Sequence, residues 1–319
     1  MSEPVSLKGR TTLREVLEKE QIFAPCIWDC MSARVAELAG FKAVLLSSAC
    51  LSYSMIGMPD IALITSDELV AATERISATC KLPLIVDADE GYGDSPLNVY
   101  RTCQRLARAG AMAITIDDST AIRGLERAYA GGATYYSNDD SAENRIQLKI
   151  CSTEALCAKI KAAVAAVEGT DCMIIARTAA KRIFGLEDAI ERMARCAALG
   201  AHMTMVLNIG SLEECRKIND AIPGWKMFPD VYSVNGEPVV KLEDIEKLGF
   251  TLVTCHFLEK GAMWGMMEYA QHTIQDKSTA YADNHDMNGT FENGWMGVQV
   301  ALSDFQKWLS LEDTFNTVE

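Results

Sequence analysis

LIVDADEGYG, residues 84–93, runs three apolar residues straight into two aspartates separated by one alanine, then a glutamate, then two glycines around a tyrosine. The apolar part is continuous rather than alternating, as expected of a strand covered on both faces in a parallel sheet. A buried strand that ends by accumulating negative charge needs something positive at that end. The fold and the chemistry of the chain both follow from asking where else the sequence repeats this pattern.

Eight such apolar runs occur, counting this one. Besides 83–89, apolar runs span 22–29, 43–48, 112–118, 172–178, 203–208, 226–232 and 250–256. Helix-like segments separate them. SDELVAATERISATC follows Thr65, with Ser66 as the expected N-cap, and SPLNVYRTCQRLARAG ends in Gly110, where a left-handed cap belongs. Eight β/α units in one chain predict the α/β class and a closed (β/α)8 TIM barrel. The sequence contains no G-x-G-x-x-G, which removes the main support for a dinucleotide-binding sheet.

In such a barrel the chemistry lies at the carboxyl ends of the strands. Asp87 and Asp89 end the third run, Asp117 and Asp118 the fourth, Arg177 the fifth, Tyr232 the seventh and His256 the eighth. Two like charges about 4 Å apart cost on the order of 4 kcal/mol at an effective dielectric near 20. Protonation or a divalent cation relieves that cost. All-oxygen ligands without a neighbouring histidine or cysteine point to Mg²⁺ or Mn²⁺, with Asp87, Asp89 and Asp117 as the set. Asp118 reads instead as a turn-binding carboxylate. For His256 two readings stand, a catalytic imidazole or a satisfied core residue.

Composition narrows the partners. Thirty Lys+Arg against 44 Asp+Glu leave a net charge of −14, which speaks against nucleic acid and anionic membranes. No apolar run reaches the roughly 18 residues of a membrane span. The eleven cysteines are scattered singly with no C-x-x-C, as expected of reduced thiols in a cytoplasmic protein. Two segments break the β/α rhythm. Ser119 to about Lys149 is polar and glycine-containing, and is expected to form a lid carrying Arg123, Arg127, Tyr135 and Tyr136. Residues 1–275 are expected to be the barrel. Residues 276–319 are expected to form a polar arm and a helix over Val298–Leu311, whose stripe of Val298, Leu302, Phe305 and Leu309 packs on a neighbouring subunit.

DADEGYG resembles the D-A-D-x-G-Y/F-G signature of the isocitrate lyase/phosphoenolpyruvate mutase superfamily of Mg²⁺-dependent (β/α)8 barrels. LLSS, MPDIALIT, TIDD and IIART follow in the corresponding order, and WDCMSARVAELAGF and PDIALIT look most like the oxaloacetate decarboxylase branch. The resemblance implies a metal at Asp87 and Asp89, with Asp117 in place of a usual glutamate, and Asp60 reaching the metal through water. It implies that Asp29, Ser47, Ser48 and Arg177 bind substrate, the serines through backbone amides, that Tyr232 lies near the leaving carboxylate, and that His256 corresponds to the eighth-strand histidine of the decarboxylases. His256 falls one residue out of register with the matching histidine, which leaves its direction open.

The acid/base loop K-K-C-G-H of the isocitrate-cleaving enzymes and the Lys-Thr-Asn-Ser loop of the phosphonate mutases are both absent. These readings favour decarboxylation of a small anionic 2-oxo acid such as oxaloacetate over 2-methylisocitrate or dimethylmalate cleavage acting on a 2-hydroxy acid. Phosphonopyruvate or phosphoenolpyruvate chemistry stands behind both, and the resemblance implies a homodimer or homotetramer. A barrel that binds a dicarboxylate without turning it over is the remaining class.

Overall fold

The computed structural model describes residues 9–120, 150–231, 233–234, 237–238, 240–285 and 294–316. All eight apolar runs become parallel strands: β1 (Ile22–Ile27), β2 (Val44–Leu46), β3 (Leu84–Asp87), β4 (Ala113–Ile116), β5 (Met173–Thr178), β6 (Met203–Val206), β7 (Trp225–Phe228) and β8 (Phe250–Cys255). They close into a barrel in which each strand pairs with its sequence neighbours and β1 pairs with β8. The chain is therefore a (β/α)8 barrel. A small antiparallel hairpin, Ser233–Val234 against Glu237–Pro238, is added after β7.

Because side chains alternate along a strand, the barrel divides its apolar residues into two clusters. Ala24, Cys26, Leu45, Ile85, Ala113, Met173, Ile175, Met203, Met205, Met227 and Leu252 fill the inside. Ile27, Val44, Leu46, Val86, Ile114, Ile116, Ile174, Phe228 and Val253 belong to the other cluster, with the apolar faces of the surrounding helices. Four methionines among the interior residues suit the tapering space, since an unbranched thioether fills irregular gaps.

The helix Ser66–Thr79 is capped one residue earlier than expected. Thr65 accepts from the Glu68 amide at 3.3 Å while the Glu68 carboxylate accepts from the Thr65 amide at 2.8 Å, a reciprocal box that Ser66 has no matching residue to form. The helix Pro96–Arg108 starts with Ser95 as cap and Pro96 in its first turn, and Gly110 follows with φ +101°. Ser119 and Ile150 form an antiparallel bridge, and the Cys151 amide donates to the Asp118 carbonyl at 2.7 Å. The two ends of the expected lid are thereby held together beside β4. Its interior, including Arg123, Arg127, Tyr135 and Tyr136, lies outside the described residues.

The C-terminal arm differs from expectation. Two helices, Gly294–Ser303 and Phe305–Asn316, replace one, with a break at Asp304 (φ +51°). The first packs on the chain's own helix Cys30–Leu38, and Val298 is buried there. Arg34 locks the contact by donating to the carbonyls of Ala301 (3.0 Å) and Leu302 (3.3 Å) and to the Asp304 carboxylate (2.8 Å). Two carbonyls left open at the helix end, and the Asp304 carboxylate beyond it, are met by one guanidinium. Phe305, Trp308 and Leu309 stay exposed. So does much of the helix Phe257–Asp276, which has no buried residue and presents Met263, Trp264, Met266, Met267 and Ile274.

Arg34→Ala is expected to free the C-terminal helices while leaving the barrel intact. Chymotryptic cleavage at Phe305 or Trp308 should accelerate about tenfold, the effect of losing a charge-assisted contact. Barrel melting should move by no more than about 2 °C. Unchanged cleavage would show that Arg34 does not hold the arm.

Candidate active site

The alternation that fills the barrel also decides what reaches its mouth. Counting in twos from interior residues gives Ala24–Cys26, Leu45–Ser47, Ile85–Asp87, Ala113–Thr115–Asp117, Ile175–Arg177, Met205–Leu207, Met227–Pro229 and Leu252–Thr254–His256. Cys26, Ser47, Asp87, Thr115, Arg177 and His256 line one pocket, to which Asp230 is added just beyond β7. His256 thus faces the site. The one-residue slip in the resemblance does not turn the imidazole away, because its parity with interior Leu252 is fixed by β8 itself.

At one side of the pocket a single guanidinium meets three carboxylates. Arg177 lies 3.0 Å from both oxygens of Asp87, 3.3 Å from Asp89 and 2.7 Å from Asp117. The group is nearly closed to solvent. Burial works against the arginine's charge, but Asp87, Asp117 and Asp89 outweigh it and hold the guanidinium firmly protonated. Arg177 is therefore a direct partner of the acidic cluster in this structure.

The carboxylates are themselves oriented. Thr115 donates to Asp87 at 2.7 Å across the β3–β4 pair, and Ser48 lies 3.4 Å from the other Asp87 oxygen. Ser119 donates to Asp117 through its amide at 2.9 Å and its hydroxyl at 2.5 Å. Asp118 points the other way. Fully buried, it accepts from the Thr178 hydroxyl (2.5 Å) and the Ala179 amide (3.0 Å) at the end of β5, so it braces a neighbouring strand end rather than its own turn. Burial, then the neighbouring Asp117, pushes it up to about 6.

The signature loop requires its glycines. At Gly91 (φ +90°) a Cβ would meet Val99 at 2.7 Å, and at Gly93 (φ +156°) it would meet the Asn98 side chain at 2.2 Å. Asp89 (φ +48°) and Tyr92 (φ +59°) share the left-handed region. The tight coil returns Asp89 to the cluster. Lys159, a buried side chain that sequence reading overlooked, donates to the Glu90 carbonyl at 3.1 Å and fastens the loop from behind.

Other expected residues take different places. Asp29 caps the helix Cys30–Leu38, accepting from the Ser32 amide (2.7 Å) and hydroxyl (2.8 Å). It does not line the pocket, so its contacts give no support to a substrate role. The Ser47 amide donates to the Ile27 carbonyl at 3.1 Å, which leaves its hydroxyl, not its amide, to the pocket. Asp60 is half-buried in the loop before Ser66–Thr79. Tyr232 lies outside the described residues.

Across the pocket from Arg177, His256 Nδ1 is 2.6 Å from Asp230 Oδ2 and Nε2 is 3.4 Å from the Ser47 hydroxyl. Ligand atoms of Cys26, Asp230 and His256 lie within 4.8 Å of one another. Asp230 and Cys26 were not among the expected site residues. Asp230 follows the same rule as the others, an acid directly after an apolar strand, in KMFPD (226–230).

In donor chemistry alone, Asp87, Asp89 and Asp117 suit a hard divalent cation. The three residues offer only oxygen, come from neighbouring strand ends, and converge on one positive charge. The Cys26, Asp230 and His256 set has a different chemistry and does not suit Mg²⁺.

The phosphoenolpyruvate phosphomutase family matches residues 13–274 of this chain. An oxaloacetate decarboxylase of Paraburkholderia xenovorans (strain LB400) is 33% identical over 214 residues, 67% of this chain and 66% of that protein. A 2-methylisocitrate lyase of Aeropyrum pernix is 32% identical over 278 residues, 87% of this chain and 83% of that protein. Among solved structures, an oxaloacetate acetylhydrolase with 3,3-difluorooxalacetate shares the fold, with a TM-score of 0.81 over 99% of both chains at 22% identity. With this barrel, this signature loop and a match over most of its length, the chain belongs to the phosphoenolpyruvate phosphomutase family of the isocitrate lyase/phosphoenolpyruvate mutase superfamily.

Proposed function

We propose that this protein is a divalent-metal-dependent carbon–carbon lyase that decarboxylates a small 2-oxo dicarboxylate such as oxaloacetate. The observation that carries the reading is the pocket itself, with Asp87 and Arg177 at one side and the His256 imidazole at the other. Asp87, Asp89 and Asp117 would hold Mg²⁺ or Mn²⁺, which when bound supplies Lewis-acid polarisation of a 2-oxo group. Arg177 adds fixed positive charge where negative charge grows as the C3–carboxylate bond breaks and its electron pair moves toward the carbonyl oxygen. The Ser47 hydroxyl donates to a substrate oxygen. His256 Nε2 returns a proton to C3 once CO₂ has left. Met205, Leu207, Met227 and Pro229 form an apolar wall that keeps water from the reacting carbon.

A 2-methylisocitrate- or dimethylmalate-type cleavage is the second reading, favoured by the longer alignment with the 2-methylisocitrate lyase. The missing K-K-C-G-H loop weighs against it, because aldol-type cleavage needs a stronger base than decarboxylation does. The exposed apolar side chains of Phe257–Asp276 and of the C-terminal helices support assembly into a homodimer or homotetramer.

Purified protein is expected to release pyruvate from oxaloacetate with Mg²⁺ and to stop in EDTA, and Asp87→Ala should remove turnover while the barrel stays folded. A panel of oxaloacetate, 2-methylisocitrate, dimethylmalate and phosphonopyruvate, assayed side by side, assigns the substrate. Turnover of the second or third alone would replace the decarboxylase reading. No turnover of any of them would favour the dicarboxylate-binding barrel.

Arg177→Lys keeps the charge but loses the planar fork, so kcat/KM should fall at least about tenfold. Arg177→Met should cost about 3–5 kcal/mol of stability, the penalty for leaving buried charges uncompensated, and Mg²⁺ should recover much of it. Wild-type behaviour of both variants would contradict the role given to Arg177. Ending the chain at Gly294 should reduce the assembly seen by light scattering. If the truncated protein keeps the full-length mass per particle, the C-terminal helices take no part in the interface.

A further inference from the structure

We infer that Asp230 is a positioning residue that locks His256 as the proton donor of the pocket, making the Asp230–His256 pair the site's acid. This rests on the decarboxylase reading and deepens it. Asp230 follows Pro229 at the end of β7, and His256 follows Cys255 at the end of β8, so two neighbouring strand ends set the pair. Their 2.6 Å contact is at Nδ1, which leaves Nε2 to face the pocket 3.4 Å from the Ser47 hydroxyl. Asp230 Oδ1 is buried with no hydrogen bond among the described residues. Within that set the imidazole is thus the carboxylate's one hydrogen-bond partner. A carboxylate so committed fixes both the ring's rotation and which nitrogen keeps its proton.

The surroundings agree. The groups facing His256 are Cys26 of β1, Cys50 of the helix Ser48–Leu51, Ser47 and Asp230, with Asp87 and Arg177 across the pocket. Burial pulls the imidazolium down, but hydrogen bonding with Asp230, Cys26 and Cys50 outweighs it and holds the ring above the ordinary histidine range. Burial pushes the Cys26 thiol up to about 12, so it stays protonated and does not compete as the base. Proton transfer then balances simply. The Nε2 proton moves to C3 of the enolate, Nδ1 keeps its proton and goes on donating it to Asp230, and solvent reprotonates Nε2 after product leaves.

Asp230→Asn keeps the shape of the side chain and removes its charge. In oxaloacetate turnover kcat should fall about 100-fold, the usual worth of a placed acid, with KM within about threefold. Because the carboxylate stabilises the charged ring, its loss lowers the histidine's pKa. The alkaline limb of the kcat profile should therefore move to lower pH by about one unit or more. Asp230→Glu should restore part of kcat.

The chain has only four histidines, so ¹⁵N-histidine NMR reads His256 without any substrate, with His256→Gln giving the assignment. Wild type should show a charged ring well above neutral pH, and Asp230→Asn a neutral one. If the Asn variant titrates like wild type, or the alkaline limb stays put while kcat falls, the positioning role is overturned. If NMR shows the pair but oxaloacetate is not turned over, the function proposal fails while the pair stands.

Discussion

Three carboxylates crowded at neighbouring strand ends govern this structure. Two like charges near 4 Å cost on the order of 4 kcal/mol at an effective dielectric near 20, so a positive charge among the carboxylates stabilises the mouth of the barrel. Arg177 supplies one from β5, contacting Asp87, Asp89 and Asp117 at 2.7–3.3 Å. Much of the local sequence serves that convergence. Gly91 and Gly93 allow the coil that brings Asp89 back, Lys159 ties the coil to the helix Thr153–Ala166, and Thr115 and Ser119 fix the directions of Asp87 and Asp117.

The barrel turns a one-dimensional alternation into a two-ended site. Interior positions of β1 to β8 carry methionine, alanine and aliphatic side chains until the last residue or two, and there the chemistry changes to Cys26, Ser47, Asp87, Thr115, Arg177 and His256. Charge is thereby separated within one pocket. A carboxylate-rich, guanidinium-neutralised end suits metal and an oxo acid, and an imidazole end lies next to where a proton is needed. Apolar Met205, Leu207 and Met227 lie between them, where low polarity strengthens both electrostatic arrangements.

Residue order alone revealed the strands and most of the strand-end residues, because continuous apolar runs and period-two alternation are local properties. What it did not reveal was non-local. The pairing of Arg177 with all three aspartates depends on the register of β3, β4 and β5, and the Asp230–His256 contact depends on β7 lying beside β8. Asp29 shows the converse. An acid at a strand end followed by C-M-S-A is equally a helix cap, and only the Ser32 contacts distinguish the two uses. The apolar spacing of the C-terminal stripe continues through Asp304 and so predicts a single helix where there are two. Arg34, some 270 residues upstream in sequence, anchors the break.

The most direct test is a calorimetric titration of metal-free protein with Mn²⁺, on wild type and on Asp87→Asn. If the carboxylates form one cation site shared between Arg177 and a divalent ion, wild type should bind one equivalent and Asp87→Asn should lose that binding. Arg177→Met, relieved of the competing charge, should bind more tightly than wild type. Equal binding by wild type and Asp87→Asn would contradict the account, as would no binding by wild type at all.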